Sequence, residues 1–135
     1  MQEYDLTGKV IGIAMEVHRE LGFGYLEKVY ENALVVLLEE RGFRVERQVP
    51  IHISFHGHVI GDYIADLVVE GRLIVELKAV QSLSPIHSAQ LVNYLTATGI
   101  EDGLLLNFGA TSLQFKRRTR TPPVRANSVN SVNSV

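Results

Sequence analysis

The stretch GDYIADLVVEGRLIVELK, residues 61–78, most constrains what this 135-residue chain can fold into. Two apolar runs meet at Glu70-Gly71, the pattern of a hairpin buried in a core. Four charged side chains interrupt it: Asp62, Asp66, Glu76 and Lys78. A carboxylate buried without a partner costs several kcal/mol, so these groups are expected to converge on a metal ion or on one another at an open edge of the core. Side chains alternate faces along a strand, which puts Glu76 and Lys78 on one face. A two-residue turn at Glu70-Gly71 sets Asp66 opposite Val75 and turns Glu76 away. Adding Arg72 to the loop, with Gly71 or its neighbour left-handed, sets Asp66 opposite Glu76. Uniting the three groups therefore requires a three-residue loop or a bulge. Asp62 lies about 13 Å from Asp66 along the strand and reads as a rim or partner-contacting residue.

With 46% hydrophobic and 21% charged residues, the chain is expected to form one globular domain over 1–118, followed by a disordered low-complexity tail over 119–135. The tail ends in ANSVNSVNSV, which has no aromatic residue and no helical period. The absence of cysteine excludes disulfides and thiolate metal sites. MQEYDLTGKV lacks the features of a signal peptide and no apolar run reaches the length of a membrane span, so a cytoplasmic location is expected. The net charge of -2 is uneven: residues 1–110 hold eight basic and all 15 acidic residues, whereas Lys116, Arg117, Arg118, Arg120 and Arg125 follow without an acid. The body reads as acidic. The basic cluster, placed after the last strand, reads either as a phosphate contact or as a solvated tail.

Asp5 or Thr7 can cap a first helix whose stripe is Val10, Ile13, Ala14, Val17 and Leu21, with Gly22 ending it. A second helix is predicted from Tyr25 to Arg41, with Leu26, Val29, Tyr30, Ala33, Leu37 and Leu38 inward and Gly42 as its stop. Phe43–Ser54 reads as a strand in which Pro50 marks an edge or a bulge. His56-Gly57-His58 is the turn into the hairpin, giving an antiparallel meander of three strands. Ser84-Pro85 starts a third helix that runs to Thr98. Gly103–Phe108 should be a strand inside the sheet, and Ser112–Lys116 a weaker last strand.

Two carboxylates and a main-chain carbonyl are hard oxygen ligands suited to Mg²⁺ or Mn²⁺. Lys78 can hold an attacking water or stabilise charge on a phosphate. The bland alternative is an ion pair of Asp66 or Glu76 with Lys78 at a sheet edge. Glu27 and Tyr30 lie one turn apart on a face that can reach the strands. If Gly24 is the N-cap, Glu27 instead folds back as in a capping box. His87, Gln90 and Tyr94 form a polar stripe that either bonds within the core or lines the cleft. His56 and His58 read as turn residues and His52 as an ordinary strand residue. His18 can point toward the cleft and carries no assigned chemistry. No Walker loop, dinucleotide glycine pattern, nucleophile elbow or HExxH is present.

Gly24-Tyr25-Leu26-Glu27-Lys28-Val29-Tyr30 resembles the signature of the GxxExxY proteins, a small prokaryotic family. The resemblance continues through EVHRELG, ADLVV, IVELKAV, AQLVNYL and LLLNFG and covers residues 8 to 118 or so. That family looks like a minimal branch of the PD-(D/E)XK nuclease superfamily. The resemblance implies a restriction-endonuclease-like α/β core, of α+β character: two N-terminal helices, a three-stranded antiparallel meander, a helix and further strands in a mixed sheet. By position it implies Asp66 as a metal-binding aspartate, Glu76 and Lys78 as the ExK pair, Glu27 as the helix acid, and Gln90 and Tyr94 as the QxxxY of RecB-like nucleases. Ala65 stands where the proline of the superfamily's name would be. The resemblance overturns the preference that composition alone gives to a structural ion pair.

The resulting expectation is a metal-dependent phosphodiesterase acting on DNA, less readily RNA. Asp66, Glu76 and the Leu77 carbonyl would hold Mg²⁺ or Mn²⁺, Glu27 would assist directly or through water, Lys78 would orient the attacking water, and Gln90 and Tyr94 would position it or the phosphate. Lys116, Arg117, Arg118 and Arg120 are the candidate nucleic-acid contacts. The rival is a non-catalytic nuclease-fold module for binding or self-assembly. A homodimer or larger assembly through the apolar faces of the two leading helices is expected in either case.

Overall fold

The computed structural model describes residues 5–120. Of the tail expected to be disordered over 119–135, residues 121–135 lie outside them, whereas Thr119 ends a strand and Arg120 pairs with Glu101. Among the described residues no helix is long and apolar enough to cross a membrane.

Helix α1 spans Leu6–Leu21, and Asp5 caps it by accepting the Gly8 N–H at 3.0 Å. Val10, Ile13, Ala14 and Val17 are buried as their spacing requires. Gly22, at φ 72°, leaves the helix, and its N–H donates to the His18 carbonyl. Helix α2 spans Glu27–Glu40 and turns inward a face rotated from the one expected: Tyr30 and Leu38 are buried and Ala33 and Leu37 pack on the core as expected, Leu34, Val35 and Glu31 are buried as well, and Leu26 is 81% and Val29 39% exposed. The segment ALVVLL offers apolar residues all round the helix, and Tyr30 selects the inward side. Its ring stacks on Phe108 at 4.8 Å, and its hydroxyl donates to the Gly22 carbonyl at 2.7 Å while accepting the Tyr25 N–H.

Five strands form one sheet in the order β1-β2-β3-β4-β5: β1 Val45–Phe55, β2 His58–Val69, β3 Leu73–Lys78, β4 Asp102–Asn107 and β5 Gln114–Thr119. β1 and β2 join through His56-Gly57 alone, both at positive φ (49° and 78°), as a two-residue hairpin turn requires. Pro50 indeed lies on an edge strand. The β2–β3 loop has three residues, Glu70, Gly71 and Arg72, because Val69 pairs with Leu73. Glu70 and Gly71 both take left-handed backbone, at φ 56° and 65°. Helix α3, Pro85–Thr98, carries the chain across to β4, which pairs parallel to β3, and β5 returns antiparallel.

The sheet is sandwiched. Leu67, Val69, Leu73, Val75, Leu77, Leu104 and Leu106 pack under α1 and α2, and Val68, Ile74 and Leu105 pack against Leu91, Tyr94 and Leu95 of α3. The stripes of the two leading helices are thus spent on the core, which corrects their assignment as assembly surfaces. The mixed α/β architecture agrees with the expected fold class.

Two further corrections concern the C-terminal side. The last strand begins at Gln114, not Ser112, and reaches Thr119, so Lys116, Arg117 and Arg118 belong to the sheet and not to a segment after it. Their side chains alternate. Arg117, opposite Leu104, bonds Asp5 of the α1 cap at 3.3 Å, while Lys116 and Arg118 share the α3 side. Arg120 pairs with Glu101. The acidic body was a product of cutting the chain at residue 110, since residues 5–120 carry 12 basic and 14 acidic side chains.

Tyr30→Phe is expected to lower stability by about 1–3 kcal/mol, because the Gly22 carbonyl and Tyr25 N–H lose their partner. Urea denaturation followed by circular dichroism measures this, and an unchanged midpoint would contradict the assigned role.

Candidate active site

Asp66 stands where the sheet changes its pattern. Up to Ala65, β2 directs odd-numbered residues toward α3, yet Leu67 and Val69 pack under α1 and α2. β1 does the same at the same level: Val45 packs under α1 and α2, Val49 and Ile51 against α3. Between them Gln48 has φ 51°, and Gln48 and Asp66 drop out of the register, which shifts a second time between Ile53 and Ser54 toward the tip of the hairpin. A positive φ on a non-glycine residue reverses the side-chain direction at a local energetic cost.

The ladder between β2 and β3 also ends here, with Leu67 opposite Val75 as its last pair. One step on, two acidic side chains replace it. The Asp66 N–H donates to Glu76 Oε2 at 2.8 Å, and the Leu77 N–H donates to Asp66 Oδ2 at 2.8 Å. Each carboxylate keeps its second oxygen clear of these bonds. Glu76 is buried and Asp66 half-buried. Among the described residues no ion pair within 4 Å reaches Asp66, Glu76, Glu27 or Lys78, so the structural ion pair weighed above does not form.

The electrostatics follow. Burial, and next the Asp66 charge, push Glu76 up to about 8. Asp66 is raised by burial against the opposing Leu77 N–H, with the Glu31 charge adding to the rise. Glu27 is also raised by burial, against Lys78, and it feels both the Asp66 charge and the Ala79 N–H. Tyr94 is pushed up to about 12 by burial and then by the charges of Glu76 and Asp66. It therefore keeps its proton at neutral pH and is available as a donor.

These shared fields bring Glu27 from α2, Asp66, Glu76 and Lys78 from the strands, and Tyr94 from α3 to one place. Glu27 is the first residue of its helix and Leu26 the N-cap, so the capping box with Gly24 is corrected. Gln90 lines a groove beside Tyr94. His87 does not join the cleft, because its Nδ1 accepts the Ser84 N–H at 3.2 Å in the capping box of α3. His18 is buried, and its Nε2 contacts the Ala110 carbonyl at 2.9 Å. Asp62 pairs with His52 at 2.6 Å, away from the other carboxylates on an exposed part of the hairpin. Tyr30 belongs to the core.

Two supporting residues escaped sequence analysis. Glu31 is buried and accepts from Lys28, Arg47 and Gln48 Nε2 at 3.1–3.3 Å, which ties the irregular stretch of β1 to α2. Asn107 is fully buried and clips the chain beyond β3: its Oδ1 accepts the Val80 N–H and its Nδ2 donates to the Val80 carbonyl, both at 2.9 Å. A Cβ at Gly109 would lie 2.4 Å from Val80 N and O, so only glycine permits this approach. The segment that follows Lys78 is thereby held. A lone asparagine in LLLNFG was the available signal for Asn107. Nothing in the local spacing marked Glu31.

A family profile for the PD-(D/E)XK nuclease superfamily matches residues 4–119, and the chain belongs to that superfamily. Comparison of the sequence with curated proteins gives no match. Among solved structures, the crystal structure of SSO0001 is similar with a TM-score of 0.57 and 19% identity, over 74% of this chain and 53% of that one. The chain therefore spans about half the length of SSO0001. An alkaline exonuclease (LHK-Exo) from Laribacter hongkongensis is similar with a TM-score of 0.53 and 14% identity, over 98% of this chain and 79% of that one. Its complex with dAMP scores 0.55 at 15% identity, over 92% and 75%. At these identities the likeness is one of fold.

The raised Glu76 sets a pH dependence. Its folded value of about 8 exceeds the 4.5 of a free glutamate, so the folded state binds more protons between these limits. The associated stability is present below pH 4.5 and is lost as pH rises through about 8, by up to about 1.4 kcal/mol per pH unit. Urea denaturation with a chelator present should show stability falling from pH 5 to 8, and Glu76→Gln should flatten the fall.

Proposed function

We propose that this chain is a divalent-metal-dependent phosphodiesterase of the GxxExxY type that cuts DNA. The observation that carries the reading is the Asp66–Glu76 pair: two inward carboxylates, each with one oxygen unused and no cation against them. Such a donor set suits Mg²⁺ or Mn²⁺. Among the described residues no three acidic or histidine side chains form a ready cage. The ion would rest on Asp66, Glu76 and the Leu77 carbonyl, with Glu27 acting through water. When bound, such an ion polarises a phosphoryl oxygen and acidifies coordinated water.

The chain's own groups do the rest. Lys78 follows Glu76 by two residues, its charge acts on that of Glu27, and we assign its ammonium to the same cleft. There it orients the attacking water and balances charge growing on the phosphate. Tyr94 donates its phenolic proton to Lys78's water or to a phosphate oxygen, and Gln90, one turn earlier, steadies the strand. Superfamily membership supports a nucleic-acid substrate, and the fold shared with an alkaline exonuclease supports DNA. With 12 basic and 14 acidic side chains over residues 5–120, an acidic body no longer argues for the non-catalytic binding or self-assembly module. Lys116 is the basic residue of β5 nearest in register to Glu76 and is the first candidate phosphate contact.

Purified protein with Mg²⁺ or Mn²⁺ should cleave labelled DNA, and a chelator should stop it. Asp66→Ala, Glu76→Ala and Lys78→Ala should each lower the rate by about 10²-fold or more while circular dichroism stays native. Absence of cleavage, or rates indifferent to these changes, would favour the non-catalytic binding module instead.

A further inference from the structure

We infer that the groove between α3 and the outer arm of the β1–β2 hairpin receives an unpaired nucleobase from the strand being cut. This rests on the nuclease reading and adds a substrate class to it. β1 and β2 run for 11 and 12 residues, but β3 pairs with β2 only at Leu67–Val69. From Asp66 back to His58 the hairpin is a two-stranded arm extending past the carboxylates. Ile53 and Tyr63 on the arm, with Ile86, Gln90, Asn93 and Tyr94 on α3, enclose a groove of about 340 Å³. That volume lies at the small end of ligand sites, which begin at about 300 Å³.

The lining identifies the occupant. It contains no Asp, Glu, Lys or Arg, and its one histidine, His87, is engaged at the start of α3. A phosphate would find no counter-charge there. A neutral, planar group with polar edges fits: the Tyr63 and Tyr94 rings lie 5.7 Å apart at 44°, and Tyr63 remains 42% exposed, free to stack on a guest. Asn93 and Gln90 each offer donors and an acceptor, which tolerates different base edges. Tyr94 is the wall shared with the active site, because its hydroxyl lies in the field of Glu76 and Asp66. A base in the groove and a phosphate at the carboxylates therefore belong to adjoining parts of one strand. In a duplex both faces of a base are stacked and its edge is paired, so only an unpaired nucleotide can enter.

The test compares three labelled substrates of one sequence: a single strand, a blunt duplex, and a single strand with an abasic residue next to the mapped cut. The native protein should prefer the single strand to the duplex by at least about tenfold. Tyr63→Ala should raise KM on the intact strand about 5- to 150-fold with little change in kcat, and Tyr63→Phe should restore it. On the abasic strand Tyr63→Ala and the native protein should be equal. Equal losses on intact and abasic strands, or no loss on either, would overturn the groove. Asn93→Ala serves the same comparison if Tyr63→Ala does not fold. Fluorescence anisotropy with the Asp66→Asn variant separates the two claims. Tyr63-dependent, base-dependent binding without cleavage of any substrate would sink the nuclease reading alone, and Asp66-dependent cleavage that ignores Tyr63 and the base would sink the groove alone.

Discussion

The structure depends on the exchange of two hydrogen bonds where β2 and β3 part: Asp66 N–H to Glu76, and Leu77 N–H to Asp66. The main-chain ladder has ended, and carboxylates take over its acceptors' work. A buried N–H needs an acceptor and a buried carboxylate needs donors, so each satisfies the other. The arrangement remains electrostatically incomplete, since among the described residues no ammonium or guanidinium pairs with either desolvated carboxyl. Burial and mutual repulsion together raise Glu76 to about 8.

The surrounding elements make that incomplete arrangement tolerable. The left-handed Glu70-Gly71 pair sets the register, Gln48 reverses the alternation of β1 opposite Asp66, and Glu31 anchors Gln48 to α2. Beyond β3, Asn107 and Gly109 hold Val80, and Tyr30 stacked on Phe108 fixes α2 so that Glu27 reaches the cleft. The sheet's two faces thus contribute opposite components: acid from α2 on one, and the Tyr94 hydroxyl with the neutral groove from α3 on the other. Left-handed backbone at non-glycine residues occurs at Gln48 opposite Asp66, at Glu70 in the β2–β3 loop, and at His56 in the distal β1–β2 turn.

Much of this was legible because local chemistry allowed few solutions. Asp66, Glu76 and Lys78 cannot meet without an irregular turn, and the loop has the three residues that requirement demands. Pro50 cannot donate and lies at an edge. Ser84-Pro85 opens α3. Other features were illegible for physical reasons. The inward face of α2 is ambiguous in ALVVLL, and it is chosen by the distant Phe108 ring and the Gly22 carbonyl. The basic run around Lys116 read as a phosphate contact or a solvated tail beyond the last strand because charged residues dominate it, yet an edge strand beside an apolar β4 needs only its main chain to pair.

The amino-acid order by itself determined the hairpin with its charged interruptions, the helix stop at Gly22, and the demand that Asp66 face Glu76. Those features follow from backbone periodicity and from the cost of burying unpaired charge, both local. Only the tertiary structure decided that Glu27 lies in the field of Lys78, that Glu31 and Asn107 brace the site, that Arg117 serves the α1 cap, and that Tyr63 and Tyr94 line one groove. Each of those contacts joins residues far apart in the chain, where sequence spacing carries no distance.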